Sequence, residues 1–296
     1  MAENRAARRL LCFGLGYSAR VLAGRLVREG WAVRGTARSP EADAAPGTGC
    51  EMYRFDREHR LPPAAFEGVT HVLVSIPPDV AGDPVLAAHA EDIAARSGIV
   101  WLGYLSTTGV YGDRGGFWVD EESELRPSGE RGRRRVMAEA GWLDLWRRRD
   151  VPVHVFRLAA IYGPGRSPFE PLRAGTAKRI AKPGQVFSRI HVADLASVLA
   201  ASMARPHPGA IYNVCDDEAA PPETVVAYAA GLLGVPPPPL VPFEEAELSA
   251  MARSFYDDNK RVSNARIKTE LGVALRYPTY RDGLRAILRE EATGLP

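Results

Sequence analysis

Two glycines one residue apart open the segment Gly14-Leu15-Gly16-Tyr17-Ser18-Ala19, directly after an apolar run. A strand that turns through glycine into a helix exposes backbone N–H groups, and the helix N-terminus adds positive partial charge. Such a turn suits an anionic pyrophosphate. Gly14 permits the tight turn and Gly16 the close approach, Tyr17 and Ser18 join them at the helix start, and Ala19 stands where a third glycine would pack helix on strand. A plain glycine-containing loop fits the same residues. The strand before and the amphipathic helix after favour a dinucleotide site.

The second strand end distinguishes the nucleotide. An NAD site places a carboxylate about 20 residues beyond the glycines to accept from the ribose 2′-OH. The local sequence is Gly35-Thr36-Ala37-Arg38-Ser39, with no acid before Glu41. Arg38 offers a guanidinium to a 2′-phosphate and Ser39 a hydroxyl, so NADP is expected in preference to NAD. Asp56, after the third apolar run, is a candidate acceptor for the adenine amino group, or an ordinary loop acid.

Hydrophobic periodicity supplies the elements that must hold these residues. Strands are expected at Leu10–Phe13, Trp31–Ala37, Cys50–Phe55, His71–Ile76, Val100–Ser106, Val153–Leu158 and Ala210–Val214. Ala19, Leu22, Ala23, Leu26 and Val27 form one stripe at the helical period. Further helices are expected at Pro84–Ser97, His191–Met203 and Ser128–Arg149, the last with Val136, Ala140, Leu143 and Trp146 on one face. Strands alternating with helices predict an α/β fold, a doubly wound parallel sheet covered on both faces. After Tyr162-Gly163-Pro164-Gly165 the elements shorten, and Pro236–Pro239 reads as an extended connector before a helical C-terminal region.

Composition narrows the partners. A net charge of +2 over 296 residues gives no general reason to expect nucleic acid or an anionic membrane. No apolar stretch approaches membrane-span length, and MAENRAARRL lacks the apolar region of a signal peptide, so a cytoplasmic location is expected. Cys12, Cys50 and Cys215 are too scattered for a disulfide framework or a zinc site, and no metal is expected.

Several motifs resemble the extended short-chain dehydrogenase/reductase family, which includes nucleotide-sugar epimerases and dehydratases. They are Leu105-Ser106-Thr107-Thr108-Gly109-Val110-Tyr111-Gly112, Asp120-Glu121, Arg126-Pro127, Phe156-Arg157-Leu158 and Ile161-Tyr162-Gly163-Pro164-Gly165. Arg189-Ile190-His191-Val192-Ala193-Asp194-Leu195 and Ser263-Asn264-Ala265 with Leu271-Gly272 complete the set. The glycine turn itself, G-x-G-x-x-A, is closer to the atypical subgroup. The resemblance implies a Rossmann-type NAD(P)-binding domain over 1–162, to which 190–215 returns, and a smaller C-terminal substrate-binding domain over 163–189 and 216–296. It also implies a small-molecule substrate in the cleft between them. A homodimer is implied through the helices at Pro84–Ser97 and Ser128–Arg149, where Trp142 and Trp146 serve either an interface or the core.

The family's active site joins a Ser or Thr to a Tyr-x-x-x-Lys pair. By that resemblance Thr107 takes the Ser/Thr position, followed by Thr108. Gly132 and Glu139 fix the register of Arg131-Gly132-Arg133-Arg134-Arg135, so Arg131 stands for the tyrosine and Arg135 for the lysine. Arg135 retains a cation for ribose hydroxyls, but a guanidinium does not act as a general acid at neutral pH. Thr107, Thr108, Arg131 and Arg135 are therefore the candidate catalytic residues.

Arg131 and Arg135, four apart, are expected on one face and offer an anion site, whereas Arg133 and Arg134 read as a solvated face offset by Glu130 and Glu139. The resemblance brings Tyr162 near the nicotinamide end, turns Arg189 to the substrate cleft and gives His191 and Asp194 structural places, Asp194 as a cap or in a salt bridge. Tyr111 reads as a packing residue. The expected function is an epimerase/dehydratase-like NADP oxidoreductase acting on a small or sugar-like anionic compound. The alternative, favoured by the missing Tyr/Lys pair, is a non-catalytic NADP-binding sensor or regulatory protein.

Overall fold

The computed structural model describes residues 8–40 and 49–293; Glu3 and Glu41 lie outside them. Seven strands form a parallel sheet: β1 (Arg9–Phe13), β2 (Ala32–Ala37), β3 (Cys50–Arg54), β4 (His71–Val74), β5 (Trp101–Thr107), β6 (Val153–Leu158) and β7 (Ile211–Val214). Their order is β7-β6-β5-β4-β1-β2-β3. Leu10 of β1 pairs with Val33 on one side and His71 on the other. The chain thus winds outward from β1 to β3 and then crosses back to β4, so the strand order reverses between β1 and β4. In open α/β sheets the carboxyl ends beside such a reversal form the ligand crevice.

Two compact units make up the described chain. The first holds the sheet strands through 107, then 133–157 and 196–212. Helix α1 (Tyr17–Arg28) buries Ala19, Leu22, Ala23 and Leu26 of the expected stripe, while Val27 at its margin is half-buried. Helix α2 (Pro84–Ala94) starts on Asp83, whose Oδ1 accepts from the N–H groups of Val85 and Leu86 at 2.8 and 3.0 Å. An N-cap with proline at the first helical position fixes that start.

Helix α3 (Glu130–Arg149) differs from expectation in the face it buries. Ala140 is exposed, while Ala138, Glu139, Trp142 and Leu143 are buried. Two polar contacts orient this mostly charged helix: Trp142 Nε1 donates to Asp83 at 3.1 Å, and Glu139 meets Arg157 at 2.8 Å. Glu139 therefore does not offset the exposed arginines. Trp142 is fully buried within the chain, which assigns it to the core, and Trp146 lies against Gly209.

The second unit comprises 108–132, 158–195 and 213–293 of the described residues. The stretch 108–132, expected with the first domain, groups with the second because Trp118–Val119 pairs with Arg261–Val262 and Lys260 donates to the Gly112 carbonyl at 2.8 Å. Helix α4 (Val192–Ala204) begins in this unit and ends in the first. Helices α5 (Pro222–Leu233) and α6 (Tyr280–Thr293) bury Val225, Ala229, Leu284 and Ile287 around Phe169. Pro236–Pro239 carries no regular structure and leads from α5 into the short strand Leu240–Pro242, as the proline tract suggested. Among the described residues no helix is long and apolar enough to cross a membrane.

Candidate functional site

Gly14 follows β1 with φ +86°, a conformation that disfavours any side chain. A Cβ there would sit 2.8 Å from Ile76 and Ser75, so the segment just after β4 presses directly on the turn. Gly14 N–H donates to Thr36 Oγ1 at 2.8 Å, Leu15 N–H donates to the Thr36 carbonyl at 2.9 Å, and the Ser75 hydroxyl donates to the Gly14 carbonyl. Thr36 on β2 and Ser75 just past the end of β4 therefore hold the loop from both sides.

Gly16 is the N-cap of α1, exposed, with open space where a Cβ would be and no side-chain cap on the first turn. Tyr17 and Ser18 form the start of the helix behind it. A strand end, an open glycine and an uncapped helix N-terminus meet the requirements for a pyrophosphate. Gly35 contributes as well: a Cβ on it would lie 2.7 Å from Leu15 and 2.9 Å from Met52. Gly35→Ala is expected to lower the unfolding free energy by about 1–3 kcal/mol through overpacking. Displacement of Leu15 should also weaken nucleotide binding; chemical denaturation and an NADPH titration measure the two effects.

Arg38 and Ser39 follow β2, the strand beside β1, and are both exposed. Asp56 is already engaged: its Oδ1 accepts from the N–H groups of Glu58 and His59 at 2.9 Å and meets His59 Nδ1 at 2.7 Å. The His59 contact and these N–H groups hold the carboxyl down at about 2. Its first duty is to shape the turn after β3, where it stays ionised.

Thr107 ends β5, two strands from β1 on the same carboxyl edge. One residue earlier, the Ser106 hydroxyl donates to Glu139, which is also held by Arg157 Nε at 3.1 Å. Glu139 and Arg157 are each only 3% exposed. This buried triad fixes α3 against β5. Four residues before Glu139, Arg135 donates to the Leu105 carbonyl and lies 5.9 Å over the Tyr104 ring. Arg135 is thus docked at the end of β5. Burial pushes the Tyr104 phenol well above its ordinary range, so it stays protonated at neutral pH and releases its proton less readily than a free phenol.

In the second unit Thr108 opens the turn Thr108–Tyr111, and Gly132 makes close contact with that turn. A Cβ on Gly132 would lie 3.0 Å from the Gly109 carbonyl oxygen and 2.7 Å from Pro127. Arg131 is exposed, its guanidinium 5.5 Å over the Phe255 ring. Arg131 and Arg135 take different partners, so the expected joint anion site does not follow from their spacing.

Tyr111 packs inside the second unit and donates to Asn213 at 2.7 Å. Tyr162 is buried there too, its ring edge-on to His191 at 5.2 Å and its hydroxyl directed at Gly283 and the Thr279 carbonyl. Burial raises its phenol far above the ordinary value. Its contacts with His191, Thr279 and Gly283 give it a packing role in this unit. Among the described residues Asp194 neither caps its own helix nor forms a salt bridge; it accepts from the N–H groups of Arg276 and Tyr277 at 2.7 and 2.9 Å. Arg189 Nη1 donates to the carbonyls of Phe187 and Ala220 at 2.7 and 3.1 Å.

No family model and no curated protein matches the chain. Among solved structures, a conserved protein of unknown function from Silicibacter pomeroyi is 55% identical, with a TM-score of 0.89 over 96% of this chain and 99% of that one. The two belong to one family. A dTDP-glucose 4,6-dehydratase from Bacillus anthracis in complex with NAD is 17% identical, with a TM-score of 0.77 and 98% of each chain covered. A UDP-glucuronic acid 4-epimerase from Bacillus cereus in complex with NAD is 13% identical, with a TM-score of 0.74 over 97% of this chain and 100% of that one. The chain has the extended short-chain dehydrogenase/reductase fold.

Within that fold the register markers acquire physical reasons. Gly132 is small because helix and turn touch there, and Glu139 is acidic because Arg157 is buried opposite it. In Phe156-Arg157-Leu158 an arginine within an otherwise apolar strand is the signal in the sequence that a buried carboxylate must face it.

Proposed function

We propose that the chain binds NADP at the carboxyl edge of its sheet and is an epimerase/dehydratase-like oxidoreductase. The observation that carries this reading is the glycine turn held by Thr36 and Ser75, open above Gly16, with Arg38 and Ser39 at the next strand end. The amides of Gly16, Tyr17 and Ser18 would hold the pyrophosphate, and Arg38 with Ser39 the 2′-phosphate. The dehydratase and epimerase of like fold hold NAD; an arginine in place of the ribose carboxylate supports NADP here.

A nicotinamide cofactor held there would accept or donate a hydride. Arg135, fixed on the Leu105 carbonyl, supplies a permanent positive charge at the end of β5. Thr107 orients a substrate oxygen by hydrogen bonding, and the proton moves through a threonine hydroxyl or water, since arginines replace the Tyr/Lys pair and Tyr104 and Tyr162 are buried. The same replacement favours the second reading, a non-catalytic NADP-binding protein. Titration of nucleotide-free protein with NADPH and with NADH tests the cofactor, with preferential NADPH binding expected. Absence of binding by both nucleotides would refute the proposal. Net NADPH oxidation with carbonyl substrates, or conversion of sugar nucleotides followed by chromatography because an epimerase or dehydratase returns its hydride and consumes no cofactor, separates the enzyme from the sensor.

A further inference from the structure

Arg189 and Asp216 lie side by side in the second unit. Asp216 N–H donates to the Arg189 carbonyl at 2.6 Å, yet among the described residues no ion pair joins their side chains. Arg189 uses Nη1 alone, on two backbone carbonyls, and no acceptor among the described residues takes its Nε or Nη2 protons. Asp216 is 3% exposed; its Oδ1 accepts from Glu218 N–H at 3.2 Å, but Oδ2 has no partner among the described residues. The hydroxyl of Tyr280, which is 1% exposed, likewise has none. Buried polar groups are almost always paired, and unpaired ones call for a physical account.

Two donors and one ionisable carboxyl fit an anion better than a cation. An ionised Asp216 competes with any anion for Arg189, whereas a protonated one becomes a third donor. We propose that Arg189 and Tyr280 hold one anionic oxygen group, a carboxylate or a phosphate, and that Asp216 controls its binding by exchanging a proton. The assignment rests on the reading of Arg189 as a substrate residue and supplies the chemical class of the group it takes.

Burial raises the Asp216 carboxyl to about 8, and the nearby Asp217 and Glu218 charges act in the same direction, while the Arg189 charge opposes them. Tyr162, Tyr256 and Tyr280 are the other titratable groups facing Arg189. All three phenols are themselves raised, so they stay neutral up to pH 9. Asp216 is then the group that titrates.

Acetate and sulfate, whose charges are constant between pH 6.5 and 9, are the probes, titrated calorimetrically into the full chain. Saturable binding is expected at pH 6.5 and binding about ten-fold weaker at pH 9, since about a tenth of a group titrating near 8 keeps its proton there. Binding of acetate alone identifies a carboxylate site, and of sulfate alone a phosphate-like one. Asp216→Asn should keep the pH 6.5 affinity and abolish the pH dependence. Arg189→Gln should lose at least ten-fold at both pH values, with Arg189→Lys recovering part.

No saturable binding, an unchanged Arg189→Gln affinity, or a ten-fold pH drop surviving in Asp216→Asn overturns the proposal. NADPH titration of the same proteins keeps the two readings apart. Wild-type protein that binds acetate or sulfate but not NADPH fails the cofactor reading alone, and NADPH binding by Arg189→Gln shows that this variant is folded.

Discussion

Glu139→Ala should lower the unfolding free energy by about 3–5 kcal/mol, the cost of leaving one member of a buried ion pair without its partner. Arg157 would keep its charge in a site only 3% exposed, and Ser106 would lose its acceptor. Glu139→Gln, which retains oxygen and shape, should cost less. The double variant Glu139→Leu with Arg157→Met should recover part of the loss, because removing both charges also removes their desolvation penalty. Urea denaturation monitored by circular dichroism measures all three. A loss below about 1 kcal/mol for Glu139→Ala would mean the pair is effectively solvated. The consequences reach beyond stability: α3 carries both Glu139 and Arg135, so loosening the pair frees Arg135 from the Leu105 carbonyl.

Arg38→Ala should weaken NADPH binding about ten- to a hundred-fold and leave NADH binding nearly unchanged. A hydrogen bond to a charged group contributes about 1.5–3 kcal/mol, and each 1.4 kcal/mol is ten-fold in affinity. Arg38 is exposed and its pairing is screened by salt, which places the expected effect toward the lower end at physiological ionic strength. The difference between the two nucleotides should therefore narrow as salt is raised. Fluorescence titration of wild type and variant with each nucleotide gives the result directly. Equal losses for NADPH and NADH would assign Arg38 to the shared part of the molecule and remove the argument for NADP.

What the sequence determined by itself lies in short-range periodicity. Apolar runs separated by helical stripes specify a parallel sheet because a strand buried on both faces is largely apolar, as β1, β4 and β6 are apart from Arg9, His71, His154 and Arg157. The glycine turn was legible for the same reason: a tight strand-to-helix connection places its demands on adjacent residues, here Gly14 and Gly16.

The tertiary structure decided everything that depends on a distant partner. The buried face of α3 was set by contacts to Asp83 and Arg157, 59 and 18 residues away in sequence, against a periodicity that put Ala140 inside. Tyr162 was drawn into the packing around His191 and Gly283, 29 and 121 residues further along the chain. Arg189 and Asp216, 27 positions apart, were joined by one backbone hydrogen bond. Hydrophobic patterning records which residues leave water, whereas burial of a charge depends on the group brought opposite it, and only the folded chain determines that group.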